Sequence, residues 1–253
     1  MTIDLGLEGR SAVISGSTRG VGLAVAAALA SAGVKVAVNY FSNEEKARAA
    51  LEFLEAICPD AISVKADVST EEGAGRLLSE AESAFGKVDI IVNNAHGRIR
   101  RSFFPASTWE EHQEHVEGVL KCAYNLTKPG IEGMKSRGWG RIVNMGNNMV
   151  LQPIKGYSAL TSAMGALLGF TRDLAVEAGP WGITVNMVSP GFVMTEEAPH
   201  TNKTVLEAIV GATPLGRLAY PDDIAGAVLF FCSDLARFVT GANLSVDGGK
   251  VMG

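Results

Sequence analysis

Ala12-Val13-Ile14-Ser15-Gly16-Ser17-Thr18-Arg19-Gly20-Val21-Gly22 is the stretch of the sequence that decides the fold. Its first residues are apolar, as in a buried strand. After its glycines, small apolar residues recur at three- and four-residue steps as far as Ala32, which is typical of a helix. Glycines let the backbone turn tightly, and amide donors at the helix start can then face a pyrophosphate. The stretch therefore predicts a strand, a nucleotide-binding loop and a helix; a plain tight turn is the alternative.

The rest of the chain alternates short β-branched runs with longer helical stretches, which is typical of a parallel sheet covered by helices on both faces. Seven strands are predicted, at residues 12–15, 36–39, 62–65, 90–93, 142–145, 184–188 and 244–246. Long helices are predicted at residues 109–134, 158–178 and 222–233. We therefore expect an α/β, Rossmann-type three-layer fold with a seven-stranded parallel sheet.

Length and composition favour one domain over residues 1–253, because 47% apolar residues can bury a substantial core. Residues 192–218 form the one extended stretch of mixed pattern after a strand, so we expect a substrate loop there, with simple surface packing as the alternative. The net charge of −5 disfavours nucleic acid and anionic membranes as partners. No apolar run approaches the roughly 20 residues of a membrane span, and no leader pattern opens the chain, so a cytoplasmic location is expected.

Cysteine and histidine usage predicts no metal site. Cys58, Cys122 and Cys232 are widely spaced, odd in number and far from the spacing of metal ligands, which favours buried reduced thiols. His112 and His115 stand among glutamates and are expected to be exposed on a helix.

The end of the second predicted strand bears on which dinucleotide the loop would take. Residues 38–42 carry no carboxylate that could bind a ribose 2′-hydroxyl or repel a 2′-phosphate. The Arg19 guanidinium could pair with that phosphate, and Asn39 and Ser42 could donate hydrogen bonds to it. The sequence therefore favours NADPH/NADP+ over NADH. If Arg19 is a solvated loop residue, the choice stays open.

These motifs resemble the short-chain dehydrogenase/reductase (SDR) family from end to end, and most strongly its branch of 3-oxoacyl-thioester reductases. The likeness continues after the glycine loop in Asp67-Val68, Asn93-Asn94-Ala95-His96, Asn186, Pro190-Gly191 with Thr195, Thr240-Gly241 and Asp247-Gly248-Gly249. The resemblance implies that Asp67 and Val68 contact the adenine and that Asn93, Asn94 and Ala95 contact the ribose side. It places Val188, residues 190–193 (Pro190, Gly191, Phe192 and Val193) and Thr195 at the nicotinamide end.

The same resemblance implies a changed catalytic centre. The family uses an Asn, a Ser, a Tyr and a Lys, and the matching positions here carry Val119, Asn147, Leu160 and Met164. Leucine cannot give a proton and methionine cannot carry a charge. The family's usual proton transfer is therefore not expected in this chain.

Three residues are candidates for the chemistry, and one of them, Asn147, is also one of the four matched positions. Tyr157 stands seven residues before Met164, a spacing that resembles the enoyl-thioester reductases, and the alternative is a half-buried tyrosine at a helix start. Asn147 could donate its amide to a substrate oxygen, or could bond only its own loop. His96 could transfer a proton near neutrality, or could merely fill the cleft.

A basic run follows at Arg98, Arg100 and Arg101, which could grip a carboxylate, a phosphopantetheine or a carrier protein. A solvated loop face is the alternative reading of this run.

Two functions remain open from the sequence. One is an NADPH-dependent oxidoreductase that reduces a ketone or an activated alkene, 3-oxoacyl- or enoyl-like, with a rebuilt proton donor. The other is a non-redox or regulatory relative that binds NADP(H) without hydride transfer, and a weaker third is a structural partner of a catalytically complete relative. The resemblance implies a homotetramer that assembles through helices 109–134 and 158–178 and the C-terminal strand region, and small residues suit close contact there, among them Ser162, Ala163, Gly165 and Ala166.

Overall fold

One seven-stranded sheet forms the centre of the structure, a computed structural model that describes residues 4–196 and 201–252. Its strands are β1 Ser11–Ile14, β2 Lys35–Tyr40, β3 Ile62–Lys65, β4 Ile90–Asn93, β5 Gly140–Met145, β6 Ile183–Pro190 and β7 Asn243–Val246. They lie in the order β3-β2-β1-β4-β5-β6-β7, and every neighbouring pair is parallel. This confirms the Rossmann-type α/β fold predicted from the sequence.

Eight α-helices connect or follow the strands in the described residues. They are α1 Gly20–Ser31, α2 Glu44–Glu55, α3 Glu71–Phe85, α4 Trp109–Val116, α5 Cys122–Arg137, α6 Ser158–Ala178, α7 Lys203–Gly211 and α8 Pro221–Cys232. The prediction for α6 is confirmed to the residue.

The helix predicted at residues 109–134 is wrong in its continuity. A π-helical turn at Glu117–Lys121 separates α4 from α5, and the second helix continues to Arg137. Gly138 then adopts a left-handed conformation (φ 66°) and ends the helix. Apolar periodicity does not distinguish one wide turn from an α-helix, and such turns often lie at functional sites.

Alternation of buried residues along each strand divides the core between the two faces of the sheet. Ala12 and Ile14 of β1 pack with α1 and α8, whereas the intervening Val13 packs with α3 and α5. A third apolar cluster joins α6 to the π-helical turn. The two covered faces explain why the strands are nearly continuous apolar runs.

The strand order reverses at β1, which pairs with β2 on one side and β4 on the other. In open parallel sheets, a crevice forms outside the carboxyl ends of the strands at such a reversal, because the connecting helices there leave on opposite faces. The glycine loop follows β1 and therefore lies at this crevice.

Candidate active site

A cleft of about 820 Å³ opens at the carboxyl ends of the strands. It is lined by the glycine loop and by residues that follow β2, β3, β4, β5 and β6. Most of the predicted cofactor residues line it, namely Gly16, Thr18, Arg19, Gly20, Val21, Gly22, Asn39, Ser42, Asp67, Val68, Asn94, Ala95, Pro190 and Thr195.

The glycine loop is held against the segment that follows β4. Asn94 donates from Nδ2 to the carbonyl oxygens of Ser15 (3.0 Å) and Gly16 (2.8 Å), and Ser15 Oγ accepts from the backbone amides of Asn94 and Ala95. A Cβ on Gly22 would lie 2.6 Å from Asn94 Nδ2, so a larger residue would push the two segments apart. Gly16 has φ +60°, which also favours glycine.

The side chains of Ser17 and Asn39 fix the shape of this loop by hydrogen bonds to its backbone and to the ends of β1 and β2. The Ser17 hydroxyl is buried, donates to Ile14 O (2.6 Å) and accepts from Asn39 N (3.0 Å). Asn39 Oδ1 accepts from Gly16 N, while its Nδ2 donates to backbone carbonyls of β2, of β3 and of the residue after β3, the shortest bond being to Ala66 O at 3.0 Å. A hydrogen bond from Asn39 to a phosphate, suggested by the sequence, would compete with these bonds.

Lys46 lines the cleft but was not among the cofactor residues predicted from the sequence. It lies in the first turn of α2, beside the N-cap residue Asn43, and lines the cleft with Arg19 and Ser42 at the end of β2. The signal was present in the sequence, because α2 starts within a few residues of β2 and its first turn must face the same edge of the sheet. Arg19 and Lys46 therefore place two positive charges at this end of the cleft.

Asp67 lines the cleft after β3, where its carboxylate holds the local turn. Its Oδ1 accepts from the backbone amide (3.0 Å) and the hydroxyl (2.7 Å) of Ser69. Gly73 of α3 packs directly on the Asp67 backbone, since a Cβ there would lie 2.0 Å from its carbonyl oxygen.

Asn93 does not line the cleft. It is buried, and its Nδ2 donates to Thr127 Oγ1 (2.9 Å) and to Asn144 Oδ1 (2.8 Å). Asn144 donates in turn to Thr171 Oγ1 (2.8 Å). These four residues form a buried polar chain from α5 through β4 and β5 to α6, so a contact of the Asn93 side chain with a ribose stays a prediction.

The end of the cleft that holds the predicted catalytic residues, named the substrate end after that prediction, combines polar loop residues with apolar walls. Asn147 and His96 line it, together with the apolar residues Met145, Met164, Ile99 and Pro190. Asn147 Oδ1 accepts from Met149 N (2.8 Å), so its Nδ2 is the atom that remains to donate to a ligand. His96 Nδ1 lies 2.9 Å from Gly97 O. Because a carbonyl oxygen only accepts, this hydrogen bond requires Nδ1 to carry a proton and donate it.

Three of the positions that the resemblance matched to catalytic residues form a packed apolar cluster. Val119, Leu160 and Met164 are all buried and contact one cluster that includes Met187, and of the three only Met164 reaches the cleft. Val119 lies inside the π-helical turn. The neighbouring Cys122 also lines the cleft, and burial, reinforced by Asp67, raises the pKa of its thiol to about 11, so it is an inert thiol at neutral pH.

Tyr157 lies at the edge of this cluster, at the N-cap position of α6, and is not among the residues that line the cleft. Its ring is half-buried and faces the guanidinium of Arg101, whose Cζ lies 5.9 Å from the ring centroid. A direct contact of Tyr157 with a substrate therefore requires the substrate to extend from the cleft toward α6.

The segment after β6 continues past the cleft and joins the C-terminal segment. Pro190 and Thr195 line the cleft, whereas Gly191 and Val193 do not. Gly191 packs on Asp247, because a Cβ there would lie 2.8 Å from Asp247 Cβ, and Val193 pairs with Ala219. Residues 197–200 of the predicted substrate loop 192–218 lie outside the described residues.

The basic run is only partly available to a ligand. Arg100 lies 3.8 Å from Glu114, and Arg101 donates from Nε to Lys155 O at 3.2 Å. Arg98 is exposed.

Within residues 4–196 and 201–252, no three His, Cys, Asp or Glu side chains are grouped as metal ligands would be. His115 is buried rather than exposed, which corrects the prediction from the sequence: it lies in the last turn of α4, a helix that packs against α6. None of the helices in the described part of the chain is long and apolar enough to span a membrane.

Comparison with known proteins places the chain among reductases. A family profile described as Enoyl-(Acyl carrier protein) reductase matches residues 16–250. The acetoacetyl-CoA reductase of Rhizobium meliloti is 38% identical over 242 residues, which cover 95% of this chain and 98% of that protein. The 3-oxoacyl-(acyl-carrier-protein) reductase FabG of Pseudomonas aeruginosa is 36% identical over 251 residues, covering 98% of this chain and all of the other.

A solved structure of a Serratia marcescens short-chain dehydrogenase/reductase variant superposes with a TM-score of 0.90 at 29% identity, over 96% of this chain and 98% of that one. The sequence match, the profile match and the shared fold therefore agree over nearly the whole chain. The chain belongs to the short-chain dehydrogenase/reductase family, close to the 3-oxoacyl-acyl-carrier-protein and acetoacetyl-CoA reductases.

Proposed function

We propose that the protein is an NADPH-dependent oxidoreductase that reduces a ketone or an activated alkene on a small, thioester-linked or otherwise anionic substrate. The observation that carries the proposal is the cleft at the strand-order reversal, with its glycine loop closed on Asn94 and Ala95. Relatives named for acetoacetyl-CoA and 3-oxoacyl substrates support the ketone.

The residues of the cleft fit a dinucleotide phosphate. Gly16 and Gly22 let the loop backbone pack closely on Ala95 and Asn94. The loop so held leads into the start of α1, where backbone amides can face a pyrophosphate. Arg19 and Lys46 would hold the 2′-phosphate, and no carboxylate stands at the end of β2 to repel it. The nicotinamide would lie toward Pro190 and Thr195.

Bound NADPH would supply the hydride. The chain's own contribution is orientation and hydrogen bonding, and orientation alone can account for much of a rate. In our proposal Asn147 Nδ2 donates to the substrate oxygen, and His96 or Tyr157 supplies the proton that the family's usual tyrosine would have given. The apolar wall at Met145 and Met164 excludes water from the reacting carbon.

The alternative is a non-redox or regulatory protein that binds NADP(H) without hydride transfer. The buried cluster of Val119, Leu160 and Met164 favours it, because apolar packing stands where the resemblance expects proton-transfer groups. The alternative keeps the same nucleotide cleft and differs only in the chemistry.

One experiment separates these functions. The purified protein is titrated with NADPH and with NADH by nucleotide fluorescence, and NADPH oxidation is then followed with ketones, 3-oxoacyl thioesters and enoyl thioesters. Tight NADPH binding with turnover supports the reductase. Binding without turnover favours the alternative, and no binding of either nucleotide overturns both.

We further propose that residues 1–253 form one domain, with residues 192–218 as substrate loop, and that the protein is a cytoplasmic homotetramer without nucleic-acid or membrane partners. The exposed side chains Phe103, Phe104 and Trp109 beside α4 support an interface on the helices. A third possible role is that of a structural partner of a catalytically complete relative, and native mass spectrometry would then show oligomers of the two proteins. A stable monomer in the same measurement would argue against the tetramer.

A further inference from the structure

Residues 97–102, which carry the basic run, form a strap that is fastened at both ends. At one end Gly97 N donates to Gly118 O in the π-helical turn (3.2 Å). A Cβ on Gly118 would lie 2.8 Å from Gly97 N, so the two backbones touch. At the other end Ser102 N donates to Gly156 O (2.9 Å). The strap thus crosses from the turn that carries Val119 to the loop before α6.

The side chain of Arg101 adds further contacts at the second end of the strap. Its Nε donates to Lys155 O at 3.2 Å, and its stem lies on Gly156, where a Cβ would approach Arg101 Cγ to 2.9 Å. Gly156 has φ +87°, a conformation that L side chains rarely adopt. The guanidinium lies over two rings, with its Cζ 5.2 Å from the Phe103 centroid and 5.9 Å from that of Tyr157.

The strap also forms part of the wall of the substrate end. Gly97 and Ile99 line the cleft together with Met164 and Asn147. Arg100 faces outward to Glu114 of α4 at 3.8 Å. The guanidinium of Arg101 is therefore engaged with backbone and rings rather than with a cleft anion.

We propose that Arg101 is a positioning residue that holds Tyr157 and the loop before α6 against the strap, and so fixes the wall of the substrate end. The part concerning Tyr157 rests on the proposed function; the fastening itself does not. A catalytic group needs its geometry held to a fraction of an ångström, because small displacements cost large factors in rate. Arg101 supplies this constraint through its contacts with Lys155 O and the Tyr157 ring.

The fastening is tested by hydrogen–deuterium exchange, which needs no activity. The Ser102 amide reports the strap directly, since it donates to Gly156 O. In Arg101→Ala we expect the peptide that contains Ser102 to exchange at least about tenfold faster, as expected from the loss of about 1.4 kcal/mol of local stability. Arg98→Ala removes the same charge from an exposed neighbour and should leave this exchange unchanged. Equal exchange in the two variants overturns the proposal.

A second variant, Arg101→Lys, keeps the test decisive even when Arg101→Ala does not fold. Arg101→Lys keeps the charge and loses the Nε donor and the planar group, and it should also exchange faster than the parent while unfolding at a similar temperature. Parent-like exchange in Arg101→Lys, with Arg101→Ala unfolded, would show that Arg101 supports the fold and not the strap, which also overturns the proposal.

The link to Tyr157 is tested with kinetics. With a substrate that turns over, Arg101→Ala should lower kcat about tenfold with the Kd of NADPH unchanged. Arg101→Ala combined with Tyr157→Phe should be no slower than Tyr157→Phe alone, because Arg101 acts through Tyr157. Additive losses would refute this link. If the parent neither binds NADPH nor turns over, the proposed function fails while the exchange experiment still decides the strap.

Discussion

Asn148 donates a hydrogen bond from Nδ2 to Asp247 Oδ2 at 3.1 Å, which ties the loop after β5 to the segment after β7. The same carboxylate accepts from the backbone amides of Gly249, Lys250 and Val251, each at 3.1 Å. Both side chains are buried. The residue next to Asn147 is thus held by the C-terminal segment, and that segment takes part in shaping the candidate site.

Asp247→Ala should lower the free energy of unfolding by about 2–3 kcal/mol, because it leaves the buried Asn148 Nδ2 and three partly buried backbone amides without their acceptor. Asn148→Ala breaks one of these bonds and should cost about 1 kcal/mol. Urea denaturation measures both changes, with Asp173→Ala, an exposed carboxylate on α6, as the control. A parent-like midpoint for Asp247→Ala would contradict this account of the C-terminal segment.

Lys46→Ala should raise the Kd of NADPH about tenfold, as expected for the loss of one charge-assisted bond to the 2′-phosphate. The Kd of NADH should not change, since NADH lacks that phosphate. Fluorescence titration at fixed ionic strength gives both constants. Arg48→Ala removes the same charge from the exposed side of α2 and should leave both constants unchanged. Equal weakening of both nucleotides by Lys46→Ala would assign Lys46 another role.

Leu160→Tyr combined with Met164→Lys should raise carbonyl reductase activity about a hundredfold if only the proton donor differs from the relatives. The double variant should also unfold more easily, because Met164 is only 4% exposed and the new ammonium enters an apolar cluster. Steady-state rates with a 3-oxoacyl thioester measure the gain. Leu168→Tyr with Met164→Lys is the matched control, and no gain in the first variant would show that the substrate pocket itself differs.

Asp223 should make stability fall at acid pH. The Arg217 guanidinium, at 2.7 Å, and the Tyr220 amide lower the pKa of Asp223 from 3.8 to about 2. Since the folded-state pKa is the lower one, the ion pair stabilises the fold above about pH 4, and this contribution is lost as the pH falls toward 2. The Asp223 side chain is 31% exposed, so the contribution is below about 1 kcal/mol.

Asp223→Asn should therefore differ from the parent in free energy of unfolding at pH 7 and converge with it near pH 2. Denaturant titrations across this range measure the difference, with Asp222→Asn as the control. If the free energies of unfolding of parent and Asp223→Asn differed by the same amount at every pH, the charge of Asp223 would not be the cause of its stabilising effect.

Local sequence signals were sufficient for the fold. The glycine loop, the strand runs and the small-residue face of α1 each depend on neighbours within a few positions, and the strands begin and end within two residues of the predicted positions. The strand ends shifted by one or two residues, because pairing continues where a neighbouring strand offers partners.

The site was less predictable, because its contacts join distant segments. Lys46 reaches the cleft only through the packing of α2, and Asn93 turns into the core because Asn144 and Thr127 meet it there. The engagement of Arg101 depends on Gly156, which lies 55 residues further along the chain. A motif states which residue types are present, but the direction of each side chain depends on partners that the motif does not contain.

The buried polar chain of Thr127, Asn93, Asn144 and Thr171 affects which residues of the protein can be replaced without loss of the fold. It links two strands to two helices through side chains that lie outside the cleft, while Leu160 and Met164 belong to a separate apolar cluster. The side chains of this polar chain are therefore different from those that line the cleft, although Met164 belongs both to the apolar cluster and to the cleft wall. Residues that line the cleft can therefore be replaced without removing any of the three hydrogen bonds of this polar chain.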